Sequence, residues 1–209
     1  MKAYYLFVVI RMKKISYKLK IAVIGKEPIG YDLILNCLKN LTIDMQEGTD
    51  LVFQTIHKSI PIKIHLNNYE TMNAMLSELE LVNGFDFLFL VLNIYNEDSL
   101  NDFEKELYDE LCTGINFKGS SLLIALGVNS IKTNFPIDKI RISRHRLIRK
   151  CNELDLEYCF EIIEPDEDLN DLFKKILDES ILKFKISNPE LYEKVKEFGI
   201  SLAEKVEKI

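Results

Sequence analysis

The stretch that most constrains the fold is residues 20–32, where two glycines separate an apolar run from an amphipathic segment. The β-branched run ends at Gly25, and Gly30 precedes residues 31–41, whose apolar side chains have helical spacing. Phosphate-binding loops share this strand, G-x-x-x-x-G, helix arrangement, followed by Lys for the phosphates and Ser or Thr for magnesium. Here Tyr31 and Asp32 stand at those two positions. A carboxylate near a helix N-terminus repels phosphate, so the stretch predicts a nucleotide-binding framework without its phosphate chemistry.

Composition excludes several classes of protein. The 209 residues suffice for one globular domain, and the net charge of −6 disfavours direct nucleic-acid binding, which depends on positive charge. No metal is expected, because the cysteines and histidines lack metal-ligand spacing. The cysteines are expected to be reduced thiols in an intracellular, cytoplasmic protein. The cysteines are Cys37, Cys112, Cys151 and Cys159, and the histidines are His57, His65 and His145.

Residues 3–10 form an apolar run near the N-terminus. A membrane span needs about 20 residues, so this run predicts an extra β-strand within an N-terminal extension, residues 1–18. Lys2 stands where myristoylation requires glycine, and no cysteine lies near Ile209 for prenylation. No membrane anchor is therefore expected.

The rest of the chain alternates predicted strands and helices, which indicates an α/β fold with a mostly parallel sheet. Two strands joined at Lys58-Ser59 form a predicted hairpin, and the nearly continuous apolar run 85–92 is typical of a buried central strand. The expectation is a three-layer α/β/α domain at 19–184, with a six-stranded sheet containing one antiparallel hairpin strand. The first predicted strand ends at Gly25, and the other five are 51–57, 60–66, 85–92, 121–126 and 156–163; the predicted helices are 31–41, 71–82, 99–111, 140–154 and 169–184.

This order of elements resembles the Ras-like small GTPase superfamily over residues 19–184. The resemblance implies four nucleotide motifs, and none of them is complete in this chain. Gly25 and Gly30 match the glycines of the phosphate-binding loop, and the S-A-K motif is not recognisable near residues 161–163. Where the family has D-x-x-G, the chain has Asn67-Asn68-Tyr69-Glu70, and where it has N-K-x-D, the chain has Asn129-Ser130-Ile131-Lys132. Lys132 cannot accept the hydrogen bonds from guanine that the family's aspartate accepts.

With these departures, the resemblance implies a catalytically inactive pseudo-GTPase without cofactor, acting as a protein-protein interaction or scaffold module. The alternative is a divergent small GTPase that binds GTP or GDP with magnesium, as a switch or weak NTPase. It would use Lys26, which matches an early lysine of deviant Walker ATPases; otherwise Lys26 is a solvated loop residue.

Two pseudo-GTPase groups are also similar. Residues 85–100, Ser143-Arg144-His145 and Tyr158-Cys159 resemble centromere protein M, which would imply a nuclear location. The architecture and C-terminal helix resemble the adaptin-binding proteins.

Two helices are candidate partner-binding surfaces. The predicted helix 140–154 has a basic half, which is either a solvated face or a docking face for an acidic partner. A helix predicted at 188–207 begins at Asn188-Pro189, and its apolar stripe either packs on its own domain or enters a partner's groove. The candidates are Arg141, His145, Arg146, Arg149 and Lys150 on the first helix, and Leu191, Val195, Phe198 and Leu202 on the second.

Overall fold

The computed structural model describes residues 15–26, 28–46, 51–78, 84–127, 142–163 and 165–206. The predicted strand at 3–10 lies outside them. The strands are β1 Tyr17–Ile24, β2 Asp44–Gln46, β3 Leu51–His57, β4 Ile60–Tyr69, β5 Phe87–Asn93, β6 Ser120–Leu126 and β7 Tyr158–Ile162. The α-helices are α1 Pro28–Leu41, α2 Met72–Ser77, α3 Lys105–Gly114, α4 Arg144–Glu153, α5 Pro165–Ser187 and α6 Pro189–Val206, with a 3-10 turn at Glu97–Leu100.

The strands form one sheet in the order β2-β3-β4-β1-β5-β6-β7. Strand β5 is parallel to β1 and β6, and β7 is parallel to β6, whereas β3 is antiparallel to both β2 and β4. The predicted α/β class, with a mostly parallel sheet and one antiparallel hairpin strand, is therefore confirmed. The described sheet has seven strands rather than six, because the three-residue β2 is too short to leave a pattern in the sequence.

Several predicted boundaries are wrong. Helix α1 begins at Pro28 rather than after Gly30, because proline has no N–H to leave unpaired in the first helical turn. Strand β4 continues to Tyr69, so Asn67 and Asn68 belong to the strand and not to a loop. The predicted strand 156–163 and the predicted helix 169–184 also shift by a few residues, since β7 begins at Tyr158 and α5 begins at Pro165.

The predicted helix 99–111 is in fact a 3-10 turn followed by α3. Asn96 caps the turn by accepting a hydrogen bond from Asp98 N at 3.1 Å. Ser99 Oγ donates to Asn93 O at 3.0 Å, which ties the turn to the end of β5. Phe103, only 1% exposed, inserts between the turn and α3. These contacts favour two short elements over one continuous helix.

The described residues form two compact units. One consists of the described parts of Lys20–Cys37 and Asn67–Leu169. Its core surrounds β5, whose residues from Phe87 to Leu92 are all buried, as predicted for a central strand. Asp86 directly precedes β5. Its carboxylate accepts a hydrogen bond from Lys20 N at 2.8 Å, and its carbonyl accepts one from Ser120 N at 2.9 Å. Asp86 therefore holds β1, β5 and β6 in register.

The other unit consists of the described parts of Met1–Leu19, Leu38–Leu66 and Asn170–Ile209. Lys58 and Ser59 form the predicted hairpin turn, with φ of 48° and 64°. Asp178 of α5 accepts from His57 at 2.6 Å and pairs with Lys58 at 2.7 Å. These two partners, Lys58 first, lower the pKa of Asp178. The hairpin is thus tied electrostatically to α5.

Helix α6 packs against the same hairpin. Leu202 is fully buried and contacts Ile56, with Phe198 beside it. A Cβ at Gly199 would lie 1.8 Å from Ser59 O, so the helix backbone touches the turn directly. None of the described helices is long and apolar enough to cross a membrane.

We expect Gly199→Ala to lower the free energy of unfolding by about 1–3 kcal/mol, because the added methyl group collides with the hairpin turn. This outcome opposes helix propensity, which favours alanine over glycine by about 1 kcal/mol. Urea unfolding measures the change. Ile200→Ala, at the adjacent exposed position, is the matched control and should alter stability by less than about 0.5 kcal/mol. A more stable Gly199→Ala variant would contradict the contact between α6 and the turn.

Candidate functional site

The loop from β1 to α1 is much shorter than the sequence pattern suggests. Strand β1 ends at Ile24 and α1 begins at Pro28, so only residues 25–27 connect them. Gly30 lies within the first turn of α1. A phosphate-binding loop wraps its backbone N–H groups around the phosphates before its helix begins. Of these three residues the structure describes Gly25 and Lys26, and both make contacts within the chain.

Both glycines have packing roles. Gly25 N donates to Tyr69 O at 3.0 Å, and a Cβ on Gly25 would lie 2.4 Å from Val91 O. At Gly30, a Cβ would lie 2.5 Å from Val91 Cγ1 and 2.8 Å from Leu126 Cδ1. The first glycine lets the loop backbone approach the β5 backbone, and the second lets α1 pack closely on β5 and β6. Neither role involves a phosphate.

Lys26, the cation of the loop, is paired with an acid. Its Nζ lies 2.5 Å from Asp102 Oδ1, and the side chains are 57% and 24% exposed respectively. The hydrogen bond to Asp102 and the charges of Asp102 and Glu70 raise the pKa of Lys26. Lys26 therefore faces two carboxylates, which oppose the approach of an anion.

The next two candidate positions add no phosphate ligand. Tyr31 is half-buried, and burial together with the charge of Asp32 raises the pKa of its phenol. Tyr31 is therefore a neutral side chain, and Asp32 is exposed on α1. Asn67 lies within β4, and Asn129 and Lys132 lie outside the described residues.

Side chains of the chain itself occupy the carboxyl ends of β5 and β6. Asn93 Oδ1 accepts from Tyr95 N at 3.0 Å, and Tyr95 Oη donates to Gly127 O at 3.0 Å. In open α/β sheets this edge is where ligands bind. Here the polar groups are used to close local turns. Among the described residues, no group of acidic, histidine or cysteine side chains could hold a metal ion.

The basic helix, α4, is partly neutralised by its own chain. Arg144 Nε pairs with Glu161 at 3.2 Å, and Arg146 pairs with Glu97. Lys150, 14% exposed, donates to Phe103 O at 3.1 Å and to Glu153 at 2.8 Å. His145 and Arg149 are exposed, and Arg141 lies outside the described residues. Arg146 and Lys150 thus hold α4 in place, whereas His145 and Arg149 face solvent.

The apolar stripe of α6 divides in the same way. Val195 and Leu202 are 3% and 0% exposed, and Phe198 is half-buried. Phe198 and Leu202 pack with Ile56 within their own unit, as in the first of the two alternatives stated for this helix. Leu191 is 50% exposed. Of the predicted partner-binding stripe, Leu191 is the member that the structure leaves open to a partner.

Two features were not singled out in the sequence. Asp102, the partner of Lys26, lies 76 positions away, and no local pattern links an isolated aspartate to a distant lysine. Cys151 and Cys159 lie close enough for each thiol to shift the pKa of the other, although their spacing matches no known cysteine motif. A helix-to-strand turn between the two cysteines is the one available signal, since it brings consecutive elements together.

No protein-family model matches the chain, and no curated protein matches it.

We expect Gly25→Ala and Gly30→Ala each to lower the free energy of unfolding by about 1–3 kcal/mol, since both methyl groups collide with protein atoms. Chemical denaturation of each variant gives the values. A loss of stability without any ligand present is the signature of a packing role.

The background variant Val91→Ala separates the two glycines. It removes the Cγ1 atom that obstructs Gly30 and leaves the carbonyl oxygen that obstructs Gly25. Gly30→Ala should therefore cost about 1 kcal/mol less in this background, whereas the cost of Gly25→Ala should stay the same. Equal costs for Gly30→Ala in both backgrounds would contradict the assigned contact.

Proposed function

We propose that this chain is a catalytically inactive, small-GTPase-like protein that serves as a protein-protein interaction module. The observation that carries the proposal is the loop from β1 to α1, where the spaces beside both glycines are filled by Val91 and Leu126. The framework of a nucleotide-binding fold is thus maintained by packing within the chain. If the fold is kept without a ligand, its function depends on the contacts that its surface makes with other proteins.

Electrostatics at the same loop supports the proposal. A nucleotide phosphate would have to separate Lys26 from Asp102, against the negative charges of Asp102 and Glu70 that act on Lys26. Phosphoryl transfer also needs cations that neutralise the charge developing in the transition state. The loop offers Lys26 alone, already paired with a carboxylate. Nucleotide hydrolysis is therefore not expected.

The exposed face of α4 is the surface we assign to a partner. Arg144, His145 and Arg149 are exposed there, and Ile148 is 47% exposed between them. The chain as a whole has a net charge of −6, so a basic face of this kind is a local exception. Cations around one exposed apolar side chain fit an acidic protein segment that carries an apolar residue.

The second candidate function is a divergent GTP- or GDP-binding switch that uses magnesium. One observation favours it: Lys26 is 57% exposed and lies at the carboxyl end of β1, where nucleotide-binding folds place their ligands. This function requires Lys26 to exchange Asp102 for a phosphate.

Titration with fluorescent GTP, GDP and ATP in the presence of magnesium distinguishes the two functions. We expect no binding tighter than about 1 mM. A ligand that binds only the folded state raises Tm, so we also expect no rise in Tm. Asp102→Asn frees Lys26 from its carboxylate and is the matched variant, for which we also expect no binding. Micromolar binding by the unmodified chain, weakened by Lys26→Ala, would establish the switch instead.

The docking face is tested with a fluorescent polyglutamate peptide as an acidic probe. Arg149→Glu should weaken binding by at least about fivefold, since it replaces one attractive pair with a repulsive one. Lys194→Glu makes the same charge change at an exposed position on α6 and should leave the affinity within about twofold of the unmodified chain. Equal losses in both variants would show that net charge, and not the α4 face, governs binding.

A further inference from the structure

Two cysteine side chains meet between α4 and β7. Residues 154–157 join these elements in a tight turn, in which Asp155 has a φ of 54° and Leu156 N donates to Cys151 O at 2.9 Å. Cys151 lies on the buried face of α4, and Cys159 lies in β7. Both contact the same apolar core cluster.

An independent contact fixes how α4 lies along β7. Arg144, at the start of the helix, pairs with Glu161 near the end of the strand at 3.2 Å. The helix therefore runs back along the strand. Cys151 lies two helical turns after Arg144, and Cys159 lies two residues before Glu161 on the same face of the strand. This register brings the two thiols together, and each thiol shifts the pKa of the other.

The two thiols have different surroundings. Cys151 is 6% exposed, whereas Cys159 is half-buried on the last strand of the sheet. The hydrogen bond from Cys151 lowers the pKa of Cys159, and Arg144 acts in the same direction. The same hydrogen bond and burial raise the pKa of Cys151. Cys159 is thus suited to react first and Cys151 to react second.

We propose that Cys151 and Cys159 form a redox modification site, which a small disulfide such as oxidised glutathione converts into an intramolecular disulfide. This inference does not depend on the proposed function. Its basis is that both thiols lie against the same core cluster, where α4 runs along β7.

The chemistry proceeds by two exchanges. The Cys159 thiolate attacks one sulfur of oxidised glutathione, which forms a Cys159-glutathione disulfide and releases a glutathione thiolate that takes up a proton. Cys151 then loses its proton and attacks Cys159 Sγ, which forms the Cys151-Cys159 bond and releases the second glutathione thiolate. The protein loses two protons and two electrons, and one glutathione disulfide becomes two thiols.

Cys112 is the matched control. It is half-buried, as Cys159 is, but its neighbour is the hydroxyl group of Tyr108 rather than a second thiol, and burial raises its pKa. Cys151 and Cys159 are not among the groups that shift the pKa of Cys112, so we expect no disulfide between Cys112 and that pair. We expect its reaction with oxidised glutathione to be at least about tenfold slower than that of Cys159.

The experiment incubates the folded, full chain with oxidised glutathione, blocks remaining thiols by alkylation and analyses tryptic peptides by mass spectrometry. Cleavage after Lys150 and Lys174 leaves both cysteines in one peptide, residues 151–174. We expect this peptide to lack two hydrogens and to resist alkylation. Treatment with a reducing agent should restore both thiols.

Single variants assign the two steps. Cys151→Ser should stop at a stable glutathione adduct on Cys159, and Cys159→Ser should leave Cys151 unmodified. Cys112→Ser should behave as the unmodified chain. The proposal is overturned if peptide 151–174 is alkylated at both cysteines, or if the unmodified chain accumulates the Cys159 adduct without closing the disulfide. Circular dichroism of each variant confirms that it is folded.

Discussion

The contact on which the architecture depends is the approach of the loop after β1 to Val91 in β5. Val91 presents its carbonyl oxygen to Gly25 and its side chain to Gly30, and no Cβ fits at either position. These two contacts fix where β1 ends and how α1 packs on the sheet. Because protein interiors are close-packed, a methyl group at either site forces a shift of backbone or helix. The glycines are therefore explained by the sheet, without any ligand.

The same contact determines what the carboxyl edge of the sheet can do. With the loop held against β5, Lys26 lies within reach of Asp102 and forms an ion pair there. Tyr95 and Asn93 close the neighbouring strand ends through their own hydrogen bonds. In related architectures this edge is left open for a ligand. Here the described polar groups at this edge, Lys26, Asn93 and Tyr95, are engaged within the chain, which favours other surfaces for the proposed function, above all the exposed side of α4.

Much of the fold could be predicted because it follows from local pattern. The run at β5 is apolar on both faces, and the hairpin at Lys58-Ser59 needs only a two-residue turn between alternating strands. The start of α1 was predicted too late, because the G-x-x-x-x-G spacing places the helix after Gly30, although Pro28 is a helix-start signal of the same kind as Pro189. The ion pair of Lys26 with Asp102 was also inaccessible, since it depends on how distant segments meet. Periodicity reports burial, whereas such pairs depend on tertiary packing.

Helix α4 shows how one element separates two chemical roles by the period of the helix. Leu147 and Cys151, four positions apart, face the core, and Cys151 meets Cys159 there. Arg149 and Ile148 project to solvent on the other side. Arg146 and Lys150 lie between these faces and bind groups of the chain itself, so they orient the helix. Because the helix is held at these intermediate positions, disulfide formation on its inner face would act on the outer face only through movement of the whole helix.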